Sequence, residues 1–125
     1  MGLSLYYSAT RAAPLSPAER HAIDELIERY SVDDQIDEYC RSGRGLNWQS
    51  FCVYDLDYGF DPHVVFEGAT GLPSNTHEAP YVGLRHWCKL LTEIRRKIDG
   101  CSWRVHVDDC EIKWDHAKNS YDTAL

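Results

Sequence analysis

The stretch SWRVHVDDCEIKWD, residues 102–115, places His106 two positions before the acid pair Asp108 and Asp109. An imidazole beside carboxylates is the donor set of a metal centre, and equally of a general acid/base pair. In a strand the side-chain period of two sets His106 and Asp108 on one face, about 7 Å apart, and turns Asp109 to the other. A metal needs further ligands from neighbouring strands, and His63 and Glu67 are the candidates. One reading is thus a small metal-dependent or acid/base enzyme centred on His106 and Asp108. The competing reading takes Tyr6, Tyr54, Glu67, Arg104, His106 and Asp108 as the mixed polar and aromatic outer face of a sheet. Such a face is either simply solvated or used to contact another protein, since Tyr and Arg are enriched in interface cores.

Other catalytic signatures are missing. The chain contains no H-E-x-x-H, G-x-S-x-G, Walker or dinucleotide-type glycine motif. EGATG, residues 67–71, has two glycines but no lysine at phosphate-loop spacing, and reads as a tight turn after a strand. The five cysteines, Cys40, Cys52, Cys88, Cys101 and Cys110, are odd in number and form no C-x-x-C pair. They fit neither a disulfide framework nor a standard zinc site, so reduced and mostly buried thiols are expected, with Cys52 and Cys110 packing beside strands. His86 and Cys88 lie two apart on a helical pattern, about 200° around the axis, which separates a thiol from its nearest base in sequence. No cofactor and no resident metal are expected.

The elements that must position these residues follow from periodicity. Leu3, Leu5, Tyr7 and Ala9 alternate with Ser4, Tyr6, Ser8 and Thr10, which predicts a strand over 3–10 with the first set inward. Ser16, Pro17 and Glu19 spell a capping box with proline at the first helical position, and Ala22, Ile23, Leu26, Ile27 and Tyr30 then recur on one face of a helix over about 17–31. A short helix or strand is expected near 36–40. Two paired strands are expected at 50–55 and 63–69, joined by the Gly- and Pro-containing LDYGFDP. A second, more buried helix is expected over about 79–98, stopped by Gly100. Trp103, Val105 and Val107 form the inner face of the next strand, EIKWD a short edge strand, and the tail beyond His116 a weakly ordered end. The order βαββαβ implies a single domain over 1–125, an α+β sandwich with an antiparallel sheet and two helices on one face, ferredoxin-like or a rearranged relative.

Composition bounds the partners. The chain has 125 residues, 43% of them hydrophobic and 26% charged, with four Trp, eight Tyr and a net charge of −7, which suits one globular core rather than a disordered or fibrous chain. No run approaches the roughly 20 apolar residues needed to span a bilayer, and the start MGLSLYYSATR has neither a basic n-region nor a long apolar h-region. Gly2 is not followed by the Ser or Thr of a myristoylation motif, since Tyr6 holds that place. The acidic balance opposes a nucleic-acid partner, because phosphate neutralisation needs a basic surface. An RNA-binding sheet with exposed Tyr6 and Tyr54 on central strands also lacks its basic and glycine pattern in LSLYYSAT and VVFEGA. Charge is unevenly placed. Residues 19–38 hold eight acids against two arginines, whereas residues 85–97 hold Arg85, Lys89, Arg95, Arg96 and Lys97 against Glu93. Either these are two solvated helix faces, or an acidic patch centred on DDQIDE (Asp33, Asp34, Asp37, Glu38) docks on a basic protein surface.

In size, acidity and the stretches LSLYYSAT, FCVYD, VFEGATG, HWCKLLTEIRR and WRVHVDD, about a third of the chain, the sequence resembles the small acidic cytosolic immunity proteins of bacterial toxin/immunity systems. That resemblance implies a cytoplasmic, non-enzymatic protein that binds a secreted toxin domain stoichiometrically and blocks its substrate. Many such toxins have basic clefts, for which Asp33, Asp34, Asp37, Glu38, Asp108 and Asp109 would substitute for phosphate. A housekeeping interaction domain shares the same sequence features.

Overall fold

Leu5, Tyr7 and Ala9 are almost wholly buried while Tyr6 stays exposed, so the alternation of the first strand, β1 (Ser4–Thr10), divides an inner from an outer face. It pairs antiparallel on one side with β2 (Val64–Gly71) and on the other with β3 (Ser102–Val107), and β4 (Cys110–Glu111) continues beyond β3. The sheet order is β2-β1-β3-β4. This computed structural model describes residues 2–56 and 61–124. It bears out the α+β class, with an antiparallel sheet covered on one face.

Two helices supply the cover. The first, α1 (Pro17–Arg29), starts at the capping box read from the sequence: Ser16 Oγ accepts from Glu19 N at 3.1 Å, and Ser16 N donates to Glu19 Oε1 at 2.9 Å. Arg11 donates to the same carboxylate at 2.6 and 2.9 Å and to the Asp99 carbonyl at 3.0 Å, so one guanidinium ties the end of β1 to the start of α1 and to the turn before β3. The later helix, α3 (Ala79–Lys97), buries Leu84, Trp87, Leu90, Leu91 and Ile94 against α1 and the inner sheet residues Tyr7, Phe66, Val105 and Val107. Full burial of side chains this size contributes about 1.5–3 kcal/mol each. Ile98 leaves α3 in an extended conformation and Gly100 turns the chain at φ +73°, a left-handed value that favours glycine.

The polar stretch after α1, expected to hold a short helix or strand near 36–40, is a helix, α2 (Asp33–Ser42), closed by Gly43 at φ +73°. Three expectations are corrected. Residues 50–55 form no strand beside β2, only an isolated bridge between Val53 and Gly68. The Cys52 carbonyl is instead captured by the Tyr7 hydroxyl, and the Cys52 amide donates to Thr70 Oγ1 at 3.2 Å. Side chains thus take the place of a ladder. Phe51 stacks flat on Tyr7 at 4.5 Å, and the chain passes so near Gly68 that a Cβ there would lie 2.0 Å from the Cys52 oxygen. Most of the expected LDYGFDP connection, residues 57–60, lies outside the described residues.

The tail is ordered too, and the expected edge strand over EIKWD is split between two sheets. Trp114–Asp115 (β5) and Ser120–Tyr121 (β6) pair antiparallel, with the buried Tyr121 edge-on to Trp114 at 5.0 Å and Arg95 of α3 lying 4.2 Å over the Trp114 ring. Arg96 holds the Asn119 carbonyl at 2.6 and 3.0 Å. The partners on α3 lie 19 and 23 residues back in sequence, which is why local polarity suggested a loose end. Among the described residues no helix is long and apolar enough to cross a membrane.

Candidate functional site

On the outer sheet face, register sets Tyr6 opposite His106, and their rings stack at 5.1 Å with an interplanar angle of 17°. Ser8 lies between Glu67 of β2 and Arg104 of β3. The expected surface of Tyr6, Glu67, Arg104 and His106 is therefore assembled, while two expected members lie outside the strands.

Asp108 is the first. The strand stops at Val107, which pairs with Cys110, so Asp108 and Asp109 form a two-residue turn with Asp108 at φ +49°. Left-handed φ is tolerated by Asp better than by most residues. What meets His106 is the Asp108 backbone, whose carbonyl accepts from Nδ1 at 2.8 Å. The carboxylate is not placed beside the imidazole by strand alternation. Tyr54 is the second: it is exposed and on no strand, and its amide donates to the Glu67 carbonyl at 2.8 Å, which sets it at the edge of the sheet beside Glu67.

The ligands proposed for a metal do not converge either. His63 precedes β2 and gives its carbonyl to Arg11 N, at the far end of β1 from Tyr6, which puts it about 17 Å along the strand direction from His106. Among the described residues no three His, Cys, Asp or Glu side chains come together as a metal site.

The cysteine expectation is half right. All five are free, yet Cys40, Cys52 and Cys110 are exposed rather than packed. Burial pushes the Cys88 thiol up to about 12, which suppresses the thiolate needed of a nucleophile. His86 turns away from it, donating from Nε2 to the Tyr30 carbonyl at 2.8 Å and meeting the Trp87 ring edge-on at 4.6 Å.

The acidic segment behaves as a surface. None of the residues of α2 is buried; Ile36 leans on the core, and Asp33, Asp34, Asp37 and Glu38 are exposed. Asp33 and Asp34 stand in the first turn, where negative charge favours the helix dipole. Glu38 is engaged by Arg41 at 3.1 Å, whereas Asp33, Asp34 and Asp37 enter no salt bridge among the described residues. The structure adds what sequence could not: Asp24 and Glu28 of α1 line a cleft of about 390 Å³ together with Asp33, floored by Phe51 and Trp87. Neither Asp24 nor Glu28 forms a salt bridge among the described residues, so the unpaired charge runs from α1 onto α2. At the floor, the buried Trp87 Nε1 has no hydrogen-bond partner among the described residues. The i, i+4 spacing of Asp24 and Glu28 signals a shared face, but their junction with Asp33 depends on the angle between two helices.

Opposite charge collects elsewhere. Arg85, Lys89 and Arg96 of α3 line a second cleft of about 420 Å³ with Thr92 and Ser120. Tyr30 and Glu93 line it too; the Tyr30 hydroxyl donates to the Glu93 carboxylate, and burial, with that bond, pushes the phenol up to about 12. Comparison of the chain with family models, with curated proteins and with solved structures finds no match to any of them.

Proposed function

We propose that this chain is a binding protein with no chemistry of its own, an immunity protein that neutralises a secreted bacterial toxin in the cytoplasm by covering its basic cleft. The observation that carries the reading is the run of unpaired carboxylates from Asp24 and Glu28 to Asp33, Asp34 and Asp37, held outward on two helices. Charges left without partners in the free protein are available to a partner, and their summed field steers a basic surface into encounter. Immobilising them on helices lowers the ordering needed on binding. The stacked Tyr6–His106 pair with Arg104 is a second exposed face of the chemistry found in interfaces, and is the subsidiary contact in this reading.

The test is complex formation between the purified chain and the catalytic domain of the toxin encoded beside its gene. A one-to-one complex, loss of toxin activity and protection of cells expressing that domain are expected. An adjacent gene that encodes no toxin, or a toxin domain that does not bind, overturns the reading.

A further inference from the structure

Beyond the acidic helices lies an open groove of about 780 Å³ at the end of the sheet. Its apolar lining includes Leu3, Leu72, Tyr81 and Leu84, contributed by the chain before β1, the end of β2 and the first turns of α3. Leu3 and Tyr81, 39% and 47% exposed, are two of the few large apolar side chains the chain leaves in water. Across the groove stands the β3–β4 turn with Asp108 and Asp109. Among the described residues neither carboxylate enters a salt bridge, and no Lys or Arg lines the groove. The remaining ionisable side chains on the lining are His77, Tyr81 and Cys110.

A volume of this size falls in the range of small-molecule sites, about 300–1,000 Å³. Apolar walls facing two unneutralised carboxylates select an apolar body that ends in a positive charge. The turn is also held in place: Val107 pairs with Cys110, and the Asp108 carbonyl is fixed by His106. We propose that this groove is a binding site for a small organic cation, with its apolar body against Leu72, Tyr81 and Leu84 and its ammonium group against Asp108 and Asp109. The site is separate from the helix surface assigned to the protein partner and stands or falls independently of it.

Three probes share one apolar body and differ in charge: 4-phenylbutylamine, 4-phenylbutanol and 4-phenylbutyrate. Titrated into the isotopically labelled full chain and followed by amide NMR, the amine should bind in the millimolar range, about three- to tenfold tighter than the alcohol, with the carboxylate weakest. Shifts should map to Leu3, Leu72, Tyr81, Leu84 and the 107–110 turn. In the D108N/D109N variant the amine should fall to the level of the alcohol, which itself should not change. Asn tolerates the left-handed φ at position 108, so the turn keeps its shape. Tyr81→Ser should weaken the amine and the alcohol alike. Equal binding of all three probes, an amine preference that survives D108N/D109N, or amine shifts centred on Asp24, Glu28 and Asp33 would overturn the proposal.

Discussion

Helices α2 and α3 lie on the same chain and use their side chains in opposite ways. In α3 nine of nineteen residues are buried, and Trp87 alone touches Trp48, Phe51 and His86. In α2 none of ten is buried, and the contact with the core falls to a half-buried Ile36. One helix therefore spends its surface on stability, and the other keeps its surface for solvent or a partner. Substitutions in α3 should change folding and leave charge alone; substitutions in α2 should do the reverse.

The sharpest break of that contrast is Trp87→Ala, expected to lower unfolding free energy by about 3–5 kcal/mol in urea denaturation. A loss below about 1 kcal/mol would show that α3 is not the keystone. Trp87→Phe should lose less than about 1.5 kcal/mol, since it keeps most of the ring volume and removes an unpartnered buried N–H. Ile36→Ala, the corresponding change in α2, should cost about 1–2 kcal/mol, because its side chain is only half withdrawn from water. If it matched Trp87→Ala, α2 would be a core element and the contrast would fail.

Smaller effects come from charge. Glu19, held down at about 2 chiefly by the Arg11 hydrogen bond, is deprotonated in the fold at pH values where an unfolded carboxyl, with a pKa of about 4.3, binds a proton. The stabilisation from this pair is complete above the unfolded value and fades as pH falls towards 2. Glu19→Gln should flatten that part of the acid-denaturation curve; an unchanged slope would remove the pair from the acid response. Smallest in stability should be Asp37→Asn, within about 0.5 kcal/mol by thermal unfolding, as expected of an exposed residue in no ion pair.

What was legible in the sequence follows the range of the forces involved. The capping box, β1 and α3 depend on residues within a few positions of each other, so Ser16, Glu19 and the spacing of Leu84, Cys88, Leu91 and Ile94 announced them. Residues 50–55 read as a strand because their composition is that of one; the capture of Cys52 by Tyr7, forty-five positions away, replaced the ladder. Asp108 was misplaced for a different reason. Alternation extrapolates until a turn intervenes, and nothing in VHVDDC marks the end of the strand as a Gly or Pro would. The acidic face on α2 was legible as composition, while its junction with Asp24 and Glu28, and the apolar groove beside Asp108, required knowing which elements meet.

The claim that α2 presents charge to a basic partner is tested most directly by association kinetics with the proposed toxin partner over a range of ionic strength. The D33K/D34K/D37K variant should remain folded, associate about ten- to a hundredfold more slowly at low salt, and lose most of the salt dependence of the wild-type rate. Equal association rates and equal salt slopes in the two proteins would contradict the account and take α2 out of the interface.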